Sequence, residues 1–228
     1  MRYDALAQNM KHTLKKFLNR FGFDVVRYPT ILFDGRRMDI VLYLNFLFNK
    51  LTDIPGDIVE CGVGKGRSFL MLAFLTQREG KPRAVWGFDS FEGFPEPSKH
   101  DASARNPKKG EWSGTRPEDI TAILRNAGMV ESFIKEKVKL VPGFFENTVH
   151  TYDGPGIALL HIDADLYDSY VVVLEKLFPL VAKGGVVLFD EYNQKRWPGA
   201  KKAVDEFLQG TPYKLEKVPF AEKYFIVK

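Results

Sequence analysis

From Asp57 onward the chain alternates short apolar runs, rich in β-branched residues, with longer amphipathic stretches. The runs Asp57-Ile-Val-Glu60, Ala84-Val-Trp-Gly-Phe88, Val138-Lys-Leu-Val141, Ile157-Ala-Leu-Leu-His-Ile162 and Gly185-Val-Val-Leu-Phe189 read as buried strands, with helices expected at 68–77, 117–127, 146–150 and 166–181. Alternation of this kind builds βαβ units, and βαβ units build a mostly parallel sheet. Two further runs, Tyr213–Val218 and Tyr224–Lys228, are parted by a short connection containing Pro219 and suit an antiparallel pair that ends the sheet. The pattern predicts an α/β, Rossmann-like, doubly wound fold with seven strands.

At 228 residues the chain has room for one substantial domain. We expect it at 51–228, behind an N-terminal helical extension at 1–50. Hydrophobic residues make up 45% and no apolar run approaches the roughly 20 residues that span a bilayer. The first residues lack the pattern of a secretory signal, so cytoplasmic residence is expected. The formal charge of +4 is mild, and Lys and Arg are spread along the chain, which does not argue for nucleic acid. The single cysteine, Cys61, cannot form an internal disulfide and reads as a packing residue.

Within 10–21, Leu14, Phe17, Leu18 and Phe21 share one helical face, with Lys11, Lys15, Lys16 and Arg20 elsewhere. Such a helix suits docking on its own domain or on a second copy in a homo-oligomer; its other use is peripheral contact with an anionic inner membrane surface. The segment 92–116 breaks the βα rhythm, carrying Pro95, Pro97, Pro107 and Trp112 without periodicity. Long loops inside compact domains are often functional, and we expect a lid over the site, with Trp112 in it.

Glu60-Cys-Gly62-Val-Gly64-Lys-Gly66 follows the first expected strand and precedes a helix that begins near Ser68. Glycines there let the backbone turn sharply and let a ligand approach a helix N-terminus. Asp89 ends the next run, where an acid can accept hydrogen bonds from ribose hydroxyls. A carboxylate at Glu60 is awkward for a pyrophosphate and suits an amine-bearing ligand, so charge favours S-adenosylmethionine over NAD. Two acidic pairs, Asp163/Asp165 and Asp190/Glu191, close the runs 157–162 and 185–189. Four acids on one rim repel one another, and the arrangement asks for a hard divalent cation, a shared proton or a cationic substrate. Alternation directs His161 to the face of Asp163.

The blocks Val59-Glu-Cys-Gly-Val-Gly-Lys-Gly66, Gly87-Phe-Asp-Ser-Phe-Glu-Gly-Phe-Pro95, His161-Ile-Asp-Ala-Asp-Leu-Tyr-Asp-Ser169 and Gly184-Gly-Val-Val-Leu-Phe-Asp-Glu-Tyr192 resemble the macrocin O-methyltransferase family of class I methyltransferases. The resemblance implies O-methylation of a sugar or glycosylated metabolite by S-adenosylmethionine with Mg²⁺. By it, Glu60, Gly62 and Gly66 hold the methionine end of the donor, with Gly64 and Ser68 in the same turn and helix start. Asp89 takes the ribose, and Ser90 and Phe91 flank the nucleoside. Asp163, Asp190 and Glu191 hold the metal, and Asp165 is the general base. One departure stands out: relatives commonly carry Asp-Asp where this chain has Asp190-Glu191. A catechol-type phenol acceptor, or a donor-binding module without catalysis, stays open beside the sugar reading.

Overall fold

The computed structural model describes Phe17, Leu18, residues 20–22 and residues 35–228. The chain divides into two compact units, Met1–Gly35 and Arg36–Lys228. Of the first, Phe17 and Leu18 are helical, the chain turns at 20–22, and the Phe17 and Phe21 rings meet edge-on at 5.1 Å. The rest of the helix expected at 10–21, with its proposed membrane or subunit contact, lies outside the described residues.

The second unit opens with helix α1 (Gly35–Phe48), then β1 (Asp57–Cys61), α2 (Arg67–Glu79), β2 (Val85–Asp89), α3 (Pro117–Asn126), α4 (Glu131–Lys137) and β3 (Val138–Pro142). It continues through the short α5 (Phe145–Thr148), β4 (Ile157–Ile162), α6 (Tyr167–Leu177), β5 (Val181–Phe189), α7 (Pro198–Leu208), β6 (Glu216–Lys217) and β7 (Tyr224–Val227). The sheet order is β3-β2-β1-β4-β5-β7-β6. Only the β7 pairings are antiparallel. The doubly wound, seven-stranded sheet is therefore as the sequence predicts.

Both faces of the sheet are covered, which is why its central strands carry continuous apolar runs. Val59, Leu160, Ile162 and Phe189 pack against α6 and α7 on one face. Ile58, Leu159, Leu188 and Phe225 pack against α1 to α4 on the other. Among the described residues no helix is long and apolar enough to cross a membrane.

Three local readings change. The helix expected at 166–181 ends as a 3-10 turn at Phe178–Leu180, because Pro179 has no N–H to continue the ladder, and β5 already begins at Val181. Helix α4 was not foreseen; its seven residues are too few for a periodic signal. The run expected at 213–218 contributes only Glu216 and Lys217 to the sheet.

The chain winds one way from β1 through β2 and β3, and the other way through β4 and β5. Ligands in such sheets bind where the winding reverses, here between the carboxyl ends of β1 and β4.

Candidate active site

A cavity of about 430 Å³ opens at that reversal point. Its walls come from the turn after β1 (Gly62, Gly64 and Ser68), the end of β2 (Asp89, Ser90 and Phe91), residues 144–146, and Asp163 and Asp165 beyond β4. The segment 93–115 closes one side with Phe94 and Trp112.

Gly62 is required by close packing. At φ +98° it lies so near β4 that a Cβ would sit 1.8 Å from the carbonyl oxygen of Asp163. Gly64 (φ +52°) has open space where a side chain would be, leaving the backbone bare to the cavity. Asp89 ties the two walls together: its Oδ2 accepts the Gly64 N–H at 2.7 Å and its Oδ1 accepts the Phe91 N–H at 2.7 Å. The hydroxyl of Ser90 is committed to its own turn, donating to the Gly93 carbonyl at 2.7 Å and accepting the Glu92 N–H. Gly66 caps α2 in a left-handed conformation and does not line the cavity.

Glu60 is fully buried one layer behind the wall, beside Ser68. Burial raises its carboxyl above the usual range, against the opposing pull of His161 and Ser68. Its Oε1 lies 2.8 Å from His161 Nδ1, while Oε2 has no hydrogen-bond partner. A buried carboxylate oxygen left unpaired costs about 1–3 kcal/mol or more, so it calls for a donor such as an ammonium or a water.

The acids divide into two groups. Asp163, Asp165 and Glu191 can bring one oxygen each within 4.8 Å of one another. Burial and mutual repulsion push all three carboxyls up, Asp163 to about 7. The Asp163 and Glu191 carboxyls lie close enough to share a proton. Glu191 is anchored by its Oε2, which meets the Tyr170 hydroxyl at 2.7 Å and accepts the Asp165 N–H at 3.3 Å. Asp165 occupies a left-handed conformation (φ +59°) at the centre of a tight turn closed by the Leu166 N–H on the Ala164 carbonyl. A non-glycine residue there stores on the order of 1–3 kcal/mol of strain.

Asp190 is not in that three-oxygen group, though its charge acts on all three of its acids. Its carboxylate is ion-paired with Lys223, whose ammonium also donates to the Asp190 carbonyl at 3.1 Å. On the other side His161 Nε2 faces Asp190 Oδ1 at 3.5 Å, a long electrostatic contact and not a well-formed hydrogen bond. Burial opposes ionisation of Asp190, but Lys223 and His161 hold it well below the usual carboxylate range. Burial likewise works against a charge on His161, yet the carboxylates of Asp190 and Glu60 push it up to about 10.

Sequence reasoning missed Lys223, Tyr170, Tyr43 and Asp101. Tyr43, buried on α1, looks onto the acids, and the Lys223 ammonium lies 5.6 Å from its ring centroid. Asp101 fastens the segment after β2 to the start of α6, accepting the Tyr167 N–H at 2.8 Å. No spacing signal marks these residues; they meet the site only through tertiary contact.

Trp112 is 55% exposed, yet held in place: its ring lies 5.0 Å from that of Phe94 and 5.7 Å from that of Trp197. The Arg105 guanidinium stacks 5.0 Å from it and is itself clamped by Glu111.

Known proteins resemble this arrangement in both sequence and fold. The demethyldecarbamoylnovobiocin O-methyltransferase of Streptomyces niveus is 32% identical over 160 residues, covering 68% of this chain and 59% of that protein. The 8-demethyl-8-(2,3-dimethoxy-alpha-L-rhamnosyl)-tetracenomycin-C 4'-O-methyltransferase of Streptomyces olivaceus is 34% identical over 144 residues, 61% of this chain and 54% of that protein. The matches thus span little more than half the length of these relatives. The crystal structure of the calicheamicin methyltransferase CalS11 superposes with a TM-score of 0.75 at 27% identity, covering 85% of this chain and 80% of that one. Residues 9–219 match the family described as Macrocin-O-methyltransferase (TylF). With nearly its whole length matched, the chain belongs to the macrocin-O-methyltransferase family.

Proposed function

We propose that the protein transfers a methyl group from S-adenosylmethionine to a hydroxyl of a sugar or glycosylated metabolite. The observation that carries this reading is the meeting, in one cavity, of a glycine-lined turn with Asp163 and Asp165, and of Glu191 behind them. Family membership and the similar rhamnosyl-tetracenomycin 4'-O-methyltransferase support a sugar oxygen as the acceptor.

The residues fit a methyl donor. The bare backbone at Gly62 and Gly64, the ribose-type acid Asp89 and the orphaned Glu60 oxygen suit a ligand that has an amino group and hydroxyls but no phosphate. Asp163 and Glu191 fit a hard divalent cation such as Mg²⁺, being oxygen donors that repel one another when nothing positive lies between them. Such a cation, when bound, supplies Lewis acidity that lowers the pKa of a hydroxyl lying against it. Asp165 takes the proton of the acceptor hydroxyl at its carboxylate, its strained turn holding that group toward the cavity. Burial raises the Asp165 carboxyl, which brings a carboxylate nearer the basicity a general base needs at neutral pH. Asp190, neutralised by Lys223 and His161, supports the floor of the site. Segment 92–116 acts as the lid, keeping water from the reacting atoms with Phe94 and Trp112.

The test is methyl transfer from labelled S-adenosylmethionine across rhamnosides, other glycans and catechols, with added Mg²⁺ and with chelator. Labelled glycoside that disappears with chelator is the expected result. Label on catechols alone moves the acceptor class, and no transfer to any acceptor despite donor binding sinks the enzymatic reading.

A further inference from the structure

Four charged residues form a row across adjacent strands beneath the cavity. Glu60 on β1 is in register with His161 on β4, and His161 pairs with Leu188 on β5. Asp190 lies two residues beyond Leu188 and so on the same side of the sheet. Phe189 pairs with Tyr224 in the antiparallel ladder, which brings Lys223 opposite Asp190. The signs alternate from strand to strand: carboxylate, imidazole, carboxylate, ammonium. Glu60 and His161 have fully buried side chains, and those of Asp190 and Lys223 are each 17% exposed.

His161 occupies the one place in this row that touches both halves of the site. Its Nδ1 grips Glu60 Oε1 at 2.8 Å and its Nε2 faces Asp190 Oδ1 at 3.5 Å. With Oε1 held, Glu60 keeps Oε2 unpaired beside Ser68, which lines the cavity where the glycine turn begins. Without the imidazole, Glu60 would lose the contact that holds Oε1 and be drawn to another donor such as Ser68. A buried polar partner that locks one rotamer of a binding group is the usual means of preorganising a site.

We propose that His161 is a positioning residue for the methyl donor, acting through Glu60 to hold a carboxylate oxygen ready for the donor's amino end. This rests on the methyl-donor reading above. His161 does not line the cavity and touches no ligand directly; its effect is transmitted across one strand pair.

The experiment measures binding of S-adenosylhomocysteine by calorimetry, with unfolding of the ligand-free proteins followed in parallel. His161→Leu, similar in volume but without a donor, is expected to weaken binding at least tenfold. His161→Asn, whose amide nitrogen takes the place of Nδ1 beside Glu60, is expected to recover most of that loss. A merely structural role would shift the unfolding temperature without this split. The decisive arm is the double variant: if His161 acts through Glu60, then His161→Leu adds less than twofold in a Glu60→Gln background. Losses that multiply independently, or a folded His161→Leu protein with unchanged affinity, overturn the proposal. Should His161→Leu fail to fold, His161→Phe, a ring without a donor, takes its place alone and in the Glu60→Gln background. Wild-type protein that binds no S-adenosylhomocysteine removes the donor reading and this one with it. Wild-type binding with unaltered variants removes only this one.

Discussion

At the residue scale, Asp165 pays for its position twice, through a left-handed backbone and through burial beside Asp163 and Glu191. Glycine at this position relieves both, less about 0.5–1 kcal/mol of extra chain entropy. Asp165→Gly is therefore expected to raise the unfolding temperature of the cation-free protein by roughly 2–4 °C, since 1 kcal/mol is worth about that much in a chain of this size. Methyl transfer should fall by about 100-fold or more, the usual effect of losing a general base. A lowered unfolding temperature in differential scanning fluorimetry, or retained activity, would contradict this account. The sequence announced the acids by their place after apolar runs, but not their division of labour. Asp163, Asp190 and Glu191 look alike as strand-end carboxylates; the contacts of Asp190 with His161 and with Lys223, which arrives from a distant strand, set it apart. Glu191 could not be placed either, because the extra methylene that distinguishes it from aspartate acquires meaning only through Tyr170 on α6.

At the scale of elements, the strands and their mostly parallel pairing follow from patterns that run within the chain, and those were legible. The apolar runs of β1, β4 and β5 are long enough to be seen alone, and the helices between them leave parallel pairing as the simple solution. The segment between β2 and α3 was legible only as an interruption. Its order comes from contacts no local signal encodes: Asp101 on the Tyr167 N–H, the Ser103 hydroxyl on the Arg196 carbonyl, and Trp112 wedged between Phe94 and Arg105. A tryptophan that is exposed and yet immobilised offers a ring face at little entropic cost. Trp112→Ala is expected to raise the acceptor KM about tenfold while leaving S-adenosylhomocysteine affinity within twofold. Steady-state kinetics beside calorimetry checks this, and a loss confined to S-adenosylhomocysteine affinity would reassign Trp112 to the donor.

Across the whole molecule, the acids make stability depend on pH in a definite direction. Asp163 is raised in the folded protein to about 7, so the fold holds its proton where the unfolded chain has lost it. Stability of the cation-free protein from this group therefore falls as pH rises from about 4 to 7. His161, raised to about 10, contributes stability in full below its unfolded value near 6.5 and loses it as pH climbs toward 10. Asp190 is depressed and acts only in acid, outside this window. The unfolding temperature of the chelator-treated protein should thus decline steadily from pH 5 to pH 9. Mg²⁺, which competes with protons for Asp163 and Glu191, should raise it more at pH 8 than at pH 5.5. Scans across this range with and without Mg²⁺ decide the matter, and a stabilisation independent of pH would place the cation elsewhere. Lys223 has one more consequence. It reaches Asp190 from 33 positions further along the chain, so the ribosome releases every acid of the row before their ammonium counterpart. Until β7 docks, His161 is the cation of the row that faces Asp190, so this edge of the sheet gains its second positive charge only when β7 joins it.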